Sequence, residues 1–388
     1  MRAIRSSVFL LLVSVMVLAP GVALLVVAFK SRALGGLSEA MLSGVTNPAP
    51  RPRLDLPSFF SGAMQSAMEP WLTERMGRPR EIYLRLKNGF DFVLGRSEVG
   101  ISIGRSWFLN GESYVDEWCL RRDRQVTEAA AAPLIAAVVA IQKAMKARGK
   151  PFVLLISPSK AAVFPEYLPS WCAPTDQPRQ YDLLLAGLKS ANVPVVDGHT
   201  IALQVKATEQ WLPFGRDGAH WNDVGQFYAA RALISELERQ TGERIGDLRL
   251  SDVQVDDKPR GAEADAGLIA NLPFVLRPVS VHASFEVANR QTMPVGLFVG
   301  TSFSWGPLQI MMGQKLFSRS KFYYYFSSSY RYDPGDLVGT AEGETAAADL
   351  SHWLSGADFV VLEANEAELS VGHIAKFAAA VEALPEPQ

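Results

Sequence analysis

The chain is poor in cysteine and histidine, and it carries almost no charge imbalance. Its 38 basic and 40 acidic side chains leave a formal net charge of −2. No positive field exists to hold a polyanion, so nucleic acid is excluded as an expected partner. Two cysteines (Cys119 and Cys172) and five histidines form no cluster at metal-ligand spacing, so no metal site is expected. The cysteines either pair, if the body lies outside the cytoplasm, or sit in a core as small apolar residues. There is no internal repeat and no glycine pattern of the Walker or dinucleotide-binding type. Only one uncharged run is long enough to cross a bilayer, which excludes a multi-span protein.

That run extends from Ser6 to Phe29 behind Arg2 and Arg5. At about 1.5 Å per residue it crosses a hydrocarbon layer of roughly 30 Å. Basic residues on the short N-terminal side keep that end in the cytoplasm, and Lys30 and Arg32 beyond the run do not reverse the bias. The reading is an uncleaved signal anchor over residues 1–32. A cleaved signal peptide, with Ala19-Pro20-Gly21 as its best site, is the competing one. Residues 33–57, rich in glycine, proline and serine, read as a linker, and 58–388 as an exported body.

Within the body, apolar residues between Ser58 and Gly95 recur at helical spacing and predict two helices broken near Gly77–Pro79. Val99–Leu109 reads as two short strands about a turn at Gly104. An alanine-rich helix is expected over Gln125–Arg148, with Pro133 moving its start toward Ala132. Phe152–Ile156, Val193–Val196, Val295–Val299 and Phe359–Leu362 read as buried strands, Tyr181–Ala191 and Asn222–Thr241 as helices, and His373–Leu384 as a terminal helix. Leu248–Val255 and Val275–Val281 are further candidate strands. The alternation predicts an α/β protein with a parallel sheet covered on both faces. In such sheets reactive groups gather at the carboxyl ends of the strands, where Lys160, Asp197 and Ser302 fall. The aromatic run Phe322–Tyr332 reads as a strand with one buried face, or as rings that stack on sugars.

Two stretches carry chemistry. Val299-Gly300-Thr301-Ser302 leaves a buried strand through a glycine turn. That places the Ser302 hydroxyl on a rigid support beside backbone N–H groups, which suits a nucleophile and equally suits a helix cap. Upstream, Arg216-Asp217-Gly218-Ala219-His220-Trp221-Asn222 opens into a helix. Asp217 is placed to hold one nitrogen of His220 while the other faces a hydroxyl, so Ser302, His220 and Asp217 compose a candidate acyl-transfer triad. Gly300, Thr301, Asn365, Trp221 and Lys160 are the candidates for oxyanion or substrate contacts.

Taken in order, seven stretches resemble the exported SGNH-like acetyltransferases typified by the alginate O-acetyltransferases AlgJ and AlgX. They are the N-terminal anchor, Arg85–Leu94, Ile103–Leu109, Leu155–Pro169, Asp217–Gly225, Gly300–Phe303 and Val360–Glu366. The resemblance implies an SGNH-hydrolase-like fold, circularly permuted because His220 precedes Ser302, with one N-terminal transmembrane helix. Two positions depart from the pattern. The family's Asp-x-His has Gly218 at its aspartate, so Asp217 is assigned the orienting role, and the usual Gly-Asp-Ser is Gly-Thr-Ser. The implied activity is transfer of an acetyl group through an acetyl-serine to hydroxyls of an exported polysaccharide. It needs no bound cofactor, since acetyl groups come ultimately from acetyl-CoA through an AlgI-like membrane-bound O-acyltransferase. The implied location is the bacterial inner membrane, single-pass, with the body in the periplasm. An acetylesterase and a non-catalytic glycan-binding scaffold of an export complex are the rival readings.

Overall fold

A computed structural model of the chain describes residues 42–44, 49–75, 78–119, 127–173, 177–274, 276–344, 347–369 and 372–385. The expected anchor and much of the expected linker lie outside them. The chain divides into two compact units, one drawn from Met1–Val99 and Gly267–Val275, the other from Gly100–Ala266 and Leu276–Gln388. The smaller unit holds the helices Leu56–Phe60, Ala63–Arg75 and Arg78–Val93.

The larger unit opens with an antiparallel hairpin, β1 (Ile101–Ile103) and β2 (Leu109–Gly111). Its frame is a seven-stranded sheet made of β3 (Phe152–Ser157), β4 (Val195–Asp197), β7 (Val295–Gly300), β8 (Arg319–Tyr324), β9 (Ser328–Tyr332), β10 (Thr340–Glu344) and β11 (Phe359–Asn365), in the order β10-β9-β8-β7-β11-β3-β4. β5 (Asp247–Asp256) and β6 (Ser280–Ala288) form a separate antiparallel ribbon, so the second strand of that pair begins later than Val275.

β8, β7, β11, β3 and β4 run parallel. β9 and β10 do not: β9 returns antiparallel on β8, and β10 on β9. The sheet is therefore mixed rather than parallel throughout. The aromatic run supplies the reason, since Tyr325 and Phe326 adopt left-handed backbone angles. Ser327 N–H reaches the Tyr324 carbonyl at 3.1 Å, which closes a three-residue hairpin loop where a crossover helix would otherwise be needed.

The central strands are apolar on both sides because both faces are covered. One face packs Val153, Leu155, Phe298 and Val361 against Phe227, Leu233 and Leu237 of the helix Asp223–Thr241 and Met311 of the helix Trp305–Gly313. The other packs Leu154, Ile156, Leu297, Val360 and Leu362 against Val138 and Ile141 of the helix Glu128–Ala147, Leu184 of Gln180–Ser190 and Phe377 of His373–Glu382. Glu128–Ala147 starts earlier than Ala132 because Thr127 caps it, its hydroxyl accepting from Ala130 N–H at 3.3 Å. Among the described residues it is the one helix long and apolar enough to cross a membrane by length and composition. It lies in this covering layer.

Cys119 and Cys172 are paired, 53 residues apart in sequence. The bond fastens the end of the helix Glu112–Cys119 to the loop beyond Leu168. A Cys119→Ser/Cys172→Ser variant is expected to unfold at lower urea, with a loss of roughly 2–4 kcal/mol, because the open chain regains loop entropy.

Candidate active site

The carboxyl ends of β7, β11, β3 and β8 meet at one edge of the sheet, and a buried carboxylate joins three of them. Glu363 of β11 accepts from Ser157 Oγ at 2.5 Å, from Thr301 N–H at 2.6 Å and from Ser304 Oγ at 3.0 Å. The turn after β7 is thereby clamped. Gly300 is required here, because a Cβ would stand 2.2 Å from Ser304 Oγ and 2.7 Å from Glu363 Oε2. Within the turn, Phe303 N–H goes to Thr301 Oγ1 and Ser304 N–H to the Thr301 carbonyl. Among the described residues, neither of these turn hydrogen bonds takes up the N–H of Ser302.

Ser302 is half-buried, and its Oγ lies 2.7 Å from His220 Nε2. The other ring nitrogen, Nδ1, is bonded by Asp265 Oδ2. With Nδ1–H donating to a carboxylate, Nε2 is the bare nitrogen that accepts from the serine hydroxyl. Ser302 and His220 thus stand together as the sequence suggested, but the carboxylate against the imidazole is Asp265 rather than Asp217.

The reason lies in the turn itself. Asp217 is buried, and its Oδ2 has no hydrogen-bond partner among the described residues. Burial pushes its pKa up to about 6, against the opposing pull of Lys160 and Arg216. At Gly218, where the family pattern has its aspartate, a Cβ would stand 2.0 Å from the Ala262 carbonyl. The segment that crowds residue 218 is the one that delivers the replacement acid. The short turn Gly261–Glu263 leads into the helix Asp265–Ile269. Asp265 Oδ1 then accepts from Ala219 N–H at 2.6 Å, fixing the acid to the histidine's own turn. Nothing local marks Asp265. The only available sign was a polar stretch carrying several acids.

The remaining candidates serve the frame. Lys160 is fully buried, and its Nζ donates to the carbonyls of Leu109, Gly215 and Gly218 at 2.6 Å each and Arg216 at 2.9 Å. Burial draws its pKa down to about 7, while the four carbonyl dipoles favour the ammonium form. A group so engaged is not free to meet an oxyanion. Asn365 is likewise committed, donating its amide hydrogens to Pro158 O and Ser157 Oγ while its oxygen accepts from Ala367 N–H. Thr301 is bound to Glu363 through both N–H and hydroxyl. Trp221 is buried with Nε1 on the Phe303 carbonyl, so it lines no groove. Most of the aromatic run packs instead around Trp305, whose ring lies 4.8 Å from Phe322 and 4.7 Å from Tyr330.

Tyr325 borders Ser302, and Tyr114 and Glu368, which no motif indicated, pack on neighbouring residues. Tyr325, the left-handed residue at the hairpin tip, interacts with Ser302 through its phenol, and burial pushes its pKa up to about 12, so it keeps its proton. Its N–H is tied to the Gly300 carbonyl at 2.8 Å. Tyr114 packs edge-on to Phe303, the residue after the serine. Glu368 accepts from Ser113 Oγ at 3.3 Å, and burial, reinforced by Glu363, raises its pKa against the pull of His220.

The family model described as the SGNH hydrolase-like domain of acetyltransferase AlgX matches residues 114–309, which include His220, Asp265 and Ser302. The chain belongs to this family. Similar solved structures include the O-acetyltransferase domain of Pseudomonas putida AlgJ, at 22% identity, covering 72% of this chain and 99% of that one with a TM-score of 0.45. Pseudomonas aeruginosa AlgX is similar at 13% identity over 74% and 70%, with a TM-score of 0.44. Bacillus cereus PatB1 is similar at 10% identity over 63% and 91%, with a TM-score of 0.37. No curated protein matches the chain.

Two variants separate the acids. Asp265→Asn is expected to lower turnover of a chromogenic acetyl ester by about 10³–10⁴-fold, because the imidazole loses its orienting charge. Asp217→Asn is expected to hold turnover within about tenfold, since it removes no group on the histidine. It should also raise the melting temperature above pH 6. The wild-type carboxyl, with its folded pKa raised, destabilises the fold progressively as pH climbs from its ordinary value to about 6. Below pH 4 the two proteins should melt alike, and a stability gain persisting there would contradict the assignment.

Proposed function

We propose that the chain is an O-acetyltransferase acting through an acetyl-serine on hydroxyls of an exported polysaccharide. The observation that carries this reading is the Ser302–His220–Asp265 array, set within the residues that the family model matches. His220 Nε2 takes the Ser302 proton as Oγ bonds to the acetyl carbon. The tetrahedral oxygen is held by the Ser302 N–H and the Tyr325 phenol, each such donor being worth roughly 3–4 kcal/mol. On collapse, the bond to the donor's leaving atom breaks and that atom receives the proton from His220. A sugar hydroxyl then gives its proton to His220 and attacks the acetyl-serine, and Ser302 regains a proton as it leaves.

The donor side of the proposal has three parts. Ser6–Phe29 anchors the chain in the bacterial inner membrane, the body lies in the periplasm, and an AlgI-like membrane-bound O-acyltransferase passes acetyl groups outward from acetyl-CoA. The pairing of Cys119 with Cys172 supports an oxidising compartment. The order of histidine before serine supports a circularly permuted SGNH arrangement. No cofactor is required by the steps above.

Incubating the full chain in detergent with a chromogenic acetyl ester and a neutral oligosaccharide, then weighing both, tests the reading. Added acetyl mass on the sugar, absent in Ser302→Ala, is the expected result. Acetate released to water with no gain on sugar would instead make the chain an esterase. Unchanged behaviour in Ser302→Ala would remove the nucleophile. Tyr325→Phe is expected to lower kcat by about 10- to 100-fold with little change in KM, as expected for a donor that binds the transition state more tightly than the substrate.

A further inference from the structure

In the smaller unit, the helix Arg78–Val93 carries apolar side chains on both of its faces. One face is satisfied within the unit. Asn88 Nδ2 donates to the Ala270 carbonyl at 2.9 Å, Arg85 to that of Leu272 at 3.1 Å, and the rings of Phe92 and Phe274 lie 5.9 Å apart. The opposite face carries Ile82, Leu86, Phe90 and Val93, which are 58%, 58%, 67% and 65% exposed. Tyr83 and Leu94 are exposed at its edge. At about 100° per residue these six side chains share roughly a third of the circumference, so they form one continuous stripe. Single exposed hydrophobics are ordinary on a soluble surface, whereas a contiguous stripe of this size marks an interaction site. The short helix Leu56–Phe60, nearer the N-terminus, adds exposed Leu56, Phe59 and Phe60.

The sequence indicates what covers this face. The uncharged run Ser6–Phe29 is joined to Leu56 by 26 residues, a leash no longer than ~90 Å even when fully extended, and the helices Leu56–Phe60 and Ala63–Arg75 then lead on to Arg78. Any chain anchored by that run holds the stripe beside a bilayer at high local concentration. Mixed aliphatic and aromatic side chains on one helical face suit the headgroup–acyl boundary, where rings and branched chains enter while the backbone stays at the surface. We infer that the Ile82–Phe90 face of this helix binds the interfacial layer of the phospholipid bilayer, as a second membrane contact beside the N-terminal run. The inference rests on the anchor proposed above.

The test uses the full chain in vesicles of phosphatidylethanolamine and phosphatidylglycerol. An environment-sensitive fluorophore is placed on Leu86→Cys, Phe90→Cys or, as control, Lys189→Cys on the exposed side of the helix Gln180–Ser190, with the disulfide left intact. Half of the vesicles carry bromine on the acyl chains. At least a ~twofold loss of emission at positions 86 and 90, with none at 189, is the expected result for a face seated among lipids. Blue-shifted but unquenched emission at 86 and 90 would mean that protein, from a second copy or another chain, covers the stripe. Unshifted emission would mean water. Either would overturn the inference. Retention of the chain after alkaline carbonate washing reports on the anchor separately. Acetylation of Ser302 in the same vesicles reports on the enzymatic reading, so failure of any one of the three is told apart.

Discussion

Everything at the sheet edge hangs on the carboxylate of Glu363. It is buried at the end of the central strand β11, and it takes hydroxyl or N–H donors from β3 and from both sides of the turn after β7. A carboxylate without a cation at this depth is tolerable only because its oxygens are met by several donors at once. The consequence is rigidity. The residues on either side of Ser302 are immobilised, so the hydroxyl between them is aimed without having to be bonded by the frame itself.

The histidine is aimed by a second buried ion of opposite sign. Lys160 gathers four carbonyls, three of them from Gly215, Arg216 and Gly218, and so folds the turn that ends at His220. The turn's free carbonyls would otherwise point inward without partners. Glu363 and Lys160 thus divide the work: an acceptor organises the turn of Ser302 and a donor organises that of His220.

The acid that completes the array comes from elsewhere because the local place is blocked. With Ala262 lying over residue 218, only glycine fits there, and Asp265 enters from the same crossing segment. The exchange leaves Asp217 as a buried carboxyl with an oxygen unpartnered among the described residues, its pKa raised to about 6 by burial. Tyr325 is placed at a comparable cost. Two successive non-glycine residues take the left-handed conformation at the hairpin tip, a strain of about 1–2 kcal/mol per residue.

Much of this was legible in the chain. Strands such as Phe152–Ser157 and Phe359–Asn365 announce themselves because burial on both faces demands an unbroken apolar run. Ser302 and His220 could be read because each sits where a local pattern changes period, a strand or turn opening into a helix, and that signal spans only a few residues. The sequence by itself thus determined the buried strands, the covering helices and the pairing of Ser302 with His220. The tertiary structure alone decided the orienting acid, the antiparallel edge, the fates of Lys160 and Asn365, and the approach of Tyr325. Asp265 lies 45 residues from His220 and Tyr325 lies beyond a further strand. Their roles depend on which backbone crosses Gly218 and which way β9 turns, and these are outcomes of packing between distant segments that no short stretch encodes.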